Sequence, residues 1–150
     1  MSLVRLLPAW LHAIADYAVG ALLIVAALAV GGSAAAVATG VVVGAVVLLV
    51  SMITKYPLGV VKVLPFTVHS AGDYLAAALL LIAPFALGFS DTDGGLTALY
   101  IAGGVAVAAV SLITNYQYSD DTNVTPVAPV TSKGSPKRPL QANRSGRASA

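Results

Sequence analysis

Four runs of apolar residues dominate the chain: Trp10 to Val30, Ala34 to Ile53, Phe66 to Phe89 and Leu96 to Ile113. At about 1.5 Å of rise per residue, helices of this length cross a hydrocarbon core of about 30 Å. Polar positions fall mostly between the runs. Gly31-Gly32-Ser33 and Ser90-Asp91-Thr92-Asp93-Gly94-Gly95 read as turns, and Lys55 to Val63 as a central loop. Pro8 suits the opening of a helix, where its missing N–H is not needed. Pro84 falls inside the third run, where it frees a backbone carbonyl and should kink the helix. The pattern predicts an all-α fold, an integral membrane four-helix bundle.

One polar pattern interrupts the runs, and it occurs twice. Leu7-Pro8-Ala9-Trp10-Leu11-His12-Ala13-Ile14-Ala15-Asp16-Tyr17 returns, 57 positions later, as Leu64-Pro65-Phe66-Thr67-Val68-His69-Ser70-Ala71-Gly72-Asp73-Tyr74. A second stretch recurs at an offset of 60: Ser51-Met52-Ile53-Thr54-Lys55-Tyr56 and Ser111-Leu112-Ile113-Thr114-Asn115-Tyr116. The longer second turn accommodates the slip. These matches predict two tandem helical hairpins, residues 5–60 and 62–118, within one transmembrane domain of residues 1–118. Each hairpin has two crossings, so the two share one orientation as a parallel repeat.

Composition agrees with the pattern. Of 150 residues, 58% are hydrophobic and only 9% charged, with no glutamate and no cysteine. A soluble domain carries nearer a quarter charged residues, so this chain needs lipid to face. The missing cysteine rules out disulfides, thiolate metal sites and cysteine nucleophiles. The net charge of +2 gives no reason to expect nucleic acid as a partner.

Charge placement predicts topology. All eight basic residues lie on one side of the expected spans: Arg5, Lys55, Lys62 and five beyond Tyr118. Both termini are therefore expected on the cytoplasmic face of the cell membrane. Arg5 ahead of an apolar run also fits a signal peptide, but Asp16 and the recurrence at residue 64 favour a retained span. Residues 119–150, rich in Pro, Ser, Thr and Asn, read as a disordered basic tail.

His12 with Asp16, and His69 with Asp73, stand four apart, so each pair shares one helix face. With Trp10 at the headgroups, Asp16 lies roughly 9 Å further in. A charged Asp at mid-bilayer costs about 2.5–3.5 kcal/mol, so both should face the bundle interior. The expected polar cluster is His12, Asp16, Tyr17, His69, Asp73 and Tyr74.

Three readings follow. The first makes the pairs helix-fastening hydrogen bonds in a structural or interaction protein. The second is a proton-coupled transporter or sensor, since His titrates near neutrality. The third is a metal or haem site, set behind the others for want of a third His. No catalytic, metal-ligating or cofactor-binding residue is assigned on this basis, and no cofactor is expected. No nucleophile motif, phosphate loop or zinc-protease pattern occurs, so the reading is non-enzymatic. The expected partners are the bilayer and a second copy of the chain, with any small-molecule or ion ligand open. Gly40-Val-Val-Val-Gly44, a GxxxG pattern, favours close helix packing, and the small-residue faces of the second and fourth helices suit self-association.

The chain resembles the SPW-repeat membrane proteins, in which a two-helix unit recurs. Their first helix opens on Pro…His…Asp and ends in Ser-Pro-Trp before a Gly-Phe turn. Here Ile82-Ala83-Pro84-Phe85-Ala86-Leu87-Gly88-Phe89-Ser90 keeps Pro84, Gly88 and Phe89, while Ala83 and Phe85 replace the Ser and Trp. In the first unit the aligned residues are Ala26-Ala27-Leu28, and Gly31 is kept. The resemblance implies a four-helix membrane domain over residues 5–118 and no defined activity.

Overall fold

The structure, a computed structural model, describes residues 6–116. Arg5 and the tail expected over residues 119–150 lie outside the described residues. Four helices follow in order: α1 (Ala9–Val30), α2 (Ala34–Ile53), α3 (Phe66–Ala86) and α4 (Gly94–Ile113). All four are long and apolar enough to cross a membrane, so the all-helical bundle fits a multi-pass membrane protein. Large apolar side chains such as Leu22, Leu28, Leu49, Leu75 and Ile82 point outward, as lipid contact requires.

Two boundaries differ from the sequence pattern. Helix α3 stops at Ala86, three residues before Phe89. Gly88 takes φ +71, a left-handed value that favours glycine, and turns the chain back. The N–H groups of Phe89 and Ser90 both donate to the Pro84 carbonyl at 3.0 Å. Phe89 is thereby folded into the core against Tyr100, with ring centroids 6.1 Å apart. Helix α4 starts at Gly94, ahead of Leu96, because the Asp93 carbonyl already accepts from Thr97 N–H at 2.9 Å.

Helix α1 packs on α2 and α3 on α4, and the hairpins meet through α1 against α4 and α2 against α3. The crossing of α1 and α2 is close because both sides are glycine. A Cβ on Gly44 would sit 2.6 Å from the Gly20 carbonyl oxygen, and one on Gly40 2.6 Å from Ala27 Cβ and 2.9 Å from the Leu23 carbonyl oxygen. The GxxxG face of α2 is thus used within the chain. Gly104 of α4 likewise lies against Ala77 and Leu81 of α3. Gly40, Gly44 and Gly104 therefore pack within the chain, while Ala38 of α2 and Ala102, Ala106 and Ala109 of α4 remain exposed.

The two ends of the bundle are closed differently. At the turn end, Leu23, Ala36, Leu80, Phe89, Leu96 and Tyr100 form one apolar core. There Asp93 Oδ1 accepts from Ser33 N–H at 3.0 Å, joining the two turns. At the opposite end, short parallel bridges pair Leu7 with Thr114 and Leu64 with Thr54. Leu7 N–H donates to Ile113 O at 2.9 Å and Leu64 N–H to Ile53 O at 2.8 Å. Each bridge ties the approach to one helix to the exit of another, so residues from distant parts of the chain converge.

Candidate functional site

α1 and α3 lie diagonally across the bundle, without backbone contact. The space between them is filled by His12, Asp16, His69 and Asp73, all buried. Their polar atoms form one group. His12 Nε2 lies 3.3 Å from Asp16 Oδ2 and 3.3 Å from Asp73 Oδ2. His69 Nε2 lies 3.1 Å from Asp16 Oδ2 and 3.0 Å from Asp73 Oδ1. The two Nε2 atoms are 3.4 Å apart. Each His thus faces both aspartates, not only the one on its own helix.

The other ring nitrogens define the imidazoles' orientation. His69 Nδ1 is 2.9 Å from Thr54 Oγ1, and His12 Nδ1 is 2.9 Å from Thr114 Oγ1. Each threonine has one hydroxyl proton and gives it to a backbone carbonyl, Val50 O or Val110 O, both at 2.6 Å. Each threonine oxygen must then accept from its His, so both Nδ1 atoms carry hydrogen. Both Nε2 atoms point at the centre.

Further hydroxyls hold the carboxylates. Asp73 Oδ2 accepts from Ser111 and from Tyr116, each at 3.0 Å. Asp16 Oδ2 accepts from Tyr56 at 3.4 Å. Ser51, fully buried at the matching position, makes no such bond to Asp16. Burial pushes the Tyr56 and Tyr116 phenols above the ordinary tyrosine range, so both stay protonated donors. Tyr56, Tyr116, Phe66, Ala9 and Ala13 form a second apolar cluster around the imidazoles. Phe66 packs on Tyr116 at 4.7 Å and edge-on to His12 at 5.4 Å.

The sequence-predicted cluster is therefore partly recomposed. His12, Asp16, His69 and Asp73 come together. Tyr17 instead donates to the Leu58 carbonyl at 3.1 Å, and Tyr74 is half-buried beside Asp73 in sequence. The phenols that reach the carboxylates are those of Tyr56 and Tyr116. Sequence reasoning missed these, with Thr54, Thr114 and Ser111, although all lie in the second recurring stretch. The signal was there: a recurring polar triplet at a helix exit.

A cleft of about 280 Å³ between α2 and α3, lined by Val42, Val46, Val50, Leu75 and Leu79, reaches His69 and Asp73. The matching place between α1 and α4, beside His12 and Asp16, holds about 30 Å³. Chemically, the centre can fasten helices, share protons or hold a cation, since its four ligand atoms lie within 4.8 Å of one another. Comparison with protein-family models, curated proteins and solved structures returns no match.

Proposed function

We propose that this is a non-enzymatic multi-pass membrane protein whose His/Asp centre fastens two helical hairpins into one unit. The observation that carries the reading is that each imidazole reaches carboxylates of both α1 and α3 within 3.0–3.3 Å. Hydrogen bonds between membrane helices contribute about 0.6–2 kcal/mol each. Here they act where apolar packing is weak, because α1 and α3 do not touch along their backbones. The threonines extend the fastening to all four helices, since α2 holds the His of α3 and α4 the His of α1.

Proton-coupled transport finds less support. Beyond the centre, towards the turns, the interior is Leu23, Ala27, Leu80, Leu96 and Tyr100. Among the described residues, Thr39 is the one buried polar side chain on α2 along that route, and its hydroxyl is used by the Ala35 carbonyl. Such a route offers no relay of ionisable groups.

The two hairpins are read as products of duplication in a protein of the SPW-repeat type. The matched offsets of the His–Thr contacts support this, as do the left-handed turns at Gly31 and Gly88, φ +70 and +71. The distribution of basic residues supports termini on the cytoplasmic face.

The test is a pair of double variants. Asp16→Asn with Asp73→Asn keeps hydrogen-bonding capacity without charge. It is expected to retain the fold, with proton flux in liposomes indistinguishable from lipid alone. Asp16→Leu with Asp73→Leu is expected to unfold. A Leu variant as stable as the parent overturns the fastening role, and Asp-dependent proton flux overturns the choice against transport.

A further inference from the structure

We infer that the centre formed by His12, Asp16, His69 and Asp73 binds one divalent transition-metal ion with zinc-like coordination. The ligands are Nε2 of each histidine and one oxygen of each aspartate. This rests on the fastening role and names what completes it.

Geometry carries the argument. A tetrahedral ion bound at about 2.0–2.1 Å sets its ligand atoms about 3.3–3.4 Å apart. The nitrogen–nitrogen separation is 3.4 Å and the nitrogen–oxygen separations run from 3.0 to 3.3 Å, His12 meeting Oδ2 of Asp73 and His69 its Oδ1. One donor atom from each of the four residues lies within 4.8 Å of the others, so small side-chain shifts bring the four to the corners of such a tetrahedron.

The surroundings are those of a metal site too. A ligating histidine presents one ring nitrogen to the metal and donates its other N–H to a fixed acceptor, which sets its tautomer. Thr54 and Thr114 are those acceptors, for the reason already given: their own protons are committed to Val50 O and Val110 O. Tyr116 and Ser111 orient Asp73, and Tyr56 orients Asp16. Ligating carboxylates are held in the same manner.

Charge points the same way. Two carboxylates sit together in an apolar interior, where unpaired charge is costly. With Nδ1 of each ring carrying hydrogen, an Nε2–H bond to carboxylate needs an imidazolium. A divalent cation takes the place of the two Nε2 protons, keeping the centre neutral and coordinating the Nε2 lone pairs. The donor set selects the class of ion. Two imidazole nitrogens and two carboxylate oxygens suit zinc-type ions, whereas calcium requires six to eight oxygens and magnesium keeps several waters. Thiolate-seeking ions find no thiolate in a chain without cysteine.

The test uses the full chain, expressed with added Zn²⁺ and purified in mild detergent without chelator. Elemental analysis is expected to find one zinc equivalent per chain, retained through gel filtration. Chains produced with Co²⁺ instead should show the visible d–d absorption of a tetrahedral site. His12→Gln with His69→Gln should lose the metal, and so should the Asp16→Asn, Asp73→Asn chain; circular dichroism shows whether each has folded. Gly72→Ala, at a helical position with open space, is the control that keeps the metal. Metal that persists in the folded Gln or Asn chains is adventitious and overturns the proposal. A folded parent chain that takes up neither Zn²⁺ nor Co²⁺ overturns it as well, yet leaves the fastening role standing if the Leu double variant still unfolds. A Leu double variant as stable as the parent, with no metal in either chain, overturns both.

Discussion

Thr114 accepts a hydrogen bond from His12 at 2.9 Å, joining the exit of α4 to the opening of α1 across 102 residues. Thr54 makes the same bond to His69 at 2.9 Å across 15 residues. The long-range bond closes the bundle and the short-range one joins consecutive helices. Replacing either threonine with valine keeps the shape and removes the acceptor. Each variant should lose about 1–3 kcal/mol, the cost of a buried donor left unpaired. Threonine to serine at either place should recover most of it. Reversible denaturation in mixed micelles reads both effects, and a neutral Thr114→Val would show that the bond does not hold the bundle closed.

The two tyrosines at the centre are chemically alike but differently placed. Tyr116 reaches Asp73 at 3.0 Å, and Tyr56 reaches Asp16 at 3.4 Å. Hydrogen bonds to a charged acceptor weaken with distance, so Tyr116→Phe should destabilise more than Tyr56→Phe. About 1.5–3 kcal/mol is expected for Tyr116. Equal losses in the two melting curves would refute the ranking.

Glycines along the helices are not equivalent. Gly44→Ala places a Cβ 2.6 Å from the backbone oxygen of Gly20, which cannot move without parting α1 from α2. Overpacking of this kind costs about 1–3 kcal/mol. Gly72, in α3, meets nothing within 4 Å, so Gly72→Ala should be neutral or gain about 0.4–1 kcal/mol through a less flexible unfolded chain. Opposite signs in the two stability measurements are the expected result.

The turn end has its own pH dependence. Hydrogen bonds from the Ser33 hydroxyl and N–H hold the half-buried Asp93 carboxyl below the usual carboxylate range. A lowered folded value means the contribution is present above the ordinary Asp pKa of about 3.9 and is lost as pH falls through the folded value. Stability of the parent should therefore drop on acidification in that window, and Asp93→Asn should flatten that part of the profile. An unchanged acid limb in the variant would assign the drop to other groups.

The four helices were legible from the chain because each is a predominantly apolar run of membrane-spanning length, and lipid makes that length a physical requirement. The turns were legible as well, through Gly31, Gly32 and the polar residues around Asp93. Helix ends were less so. Phe89 continues the apolar run, yet Gly88 turns it into the core, and hydrophobicity cannot distinguish a lipid-facing side chain from a buried one.

The site divides along a similar line. Spacing of four residues placed His12 with Asp16 and His69 with Asp73, since helical periodicity alone puts each pair on one face. Which phenols would join them depended on how the helix exits fold back. Tyr17 and Tyr74 are next in sequence to the aspartates, but adjacent residues on a helix point about 100° apart. Tyr56 and Tyr116 arrive because the bridges at Leu64 and Leu7 bring the ends of α2 and α4 beside the openings of α3 and α1. Only that packing decides that the four ionisable groups form one centre, with a ligand atom of each within 4.8 Å of the others, and that threonine sets both imidazole tautomers. The opening His/Asp pattern determines by itself what must be buried; the crossing of chain ends determines what it is buried with.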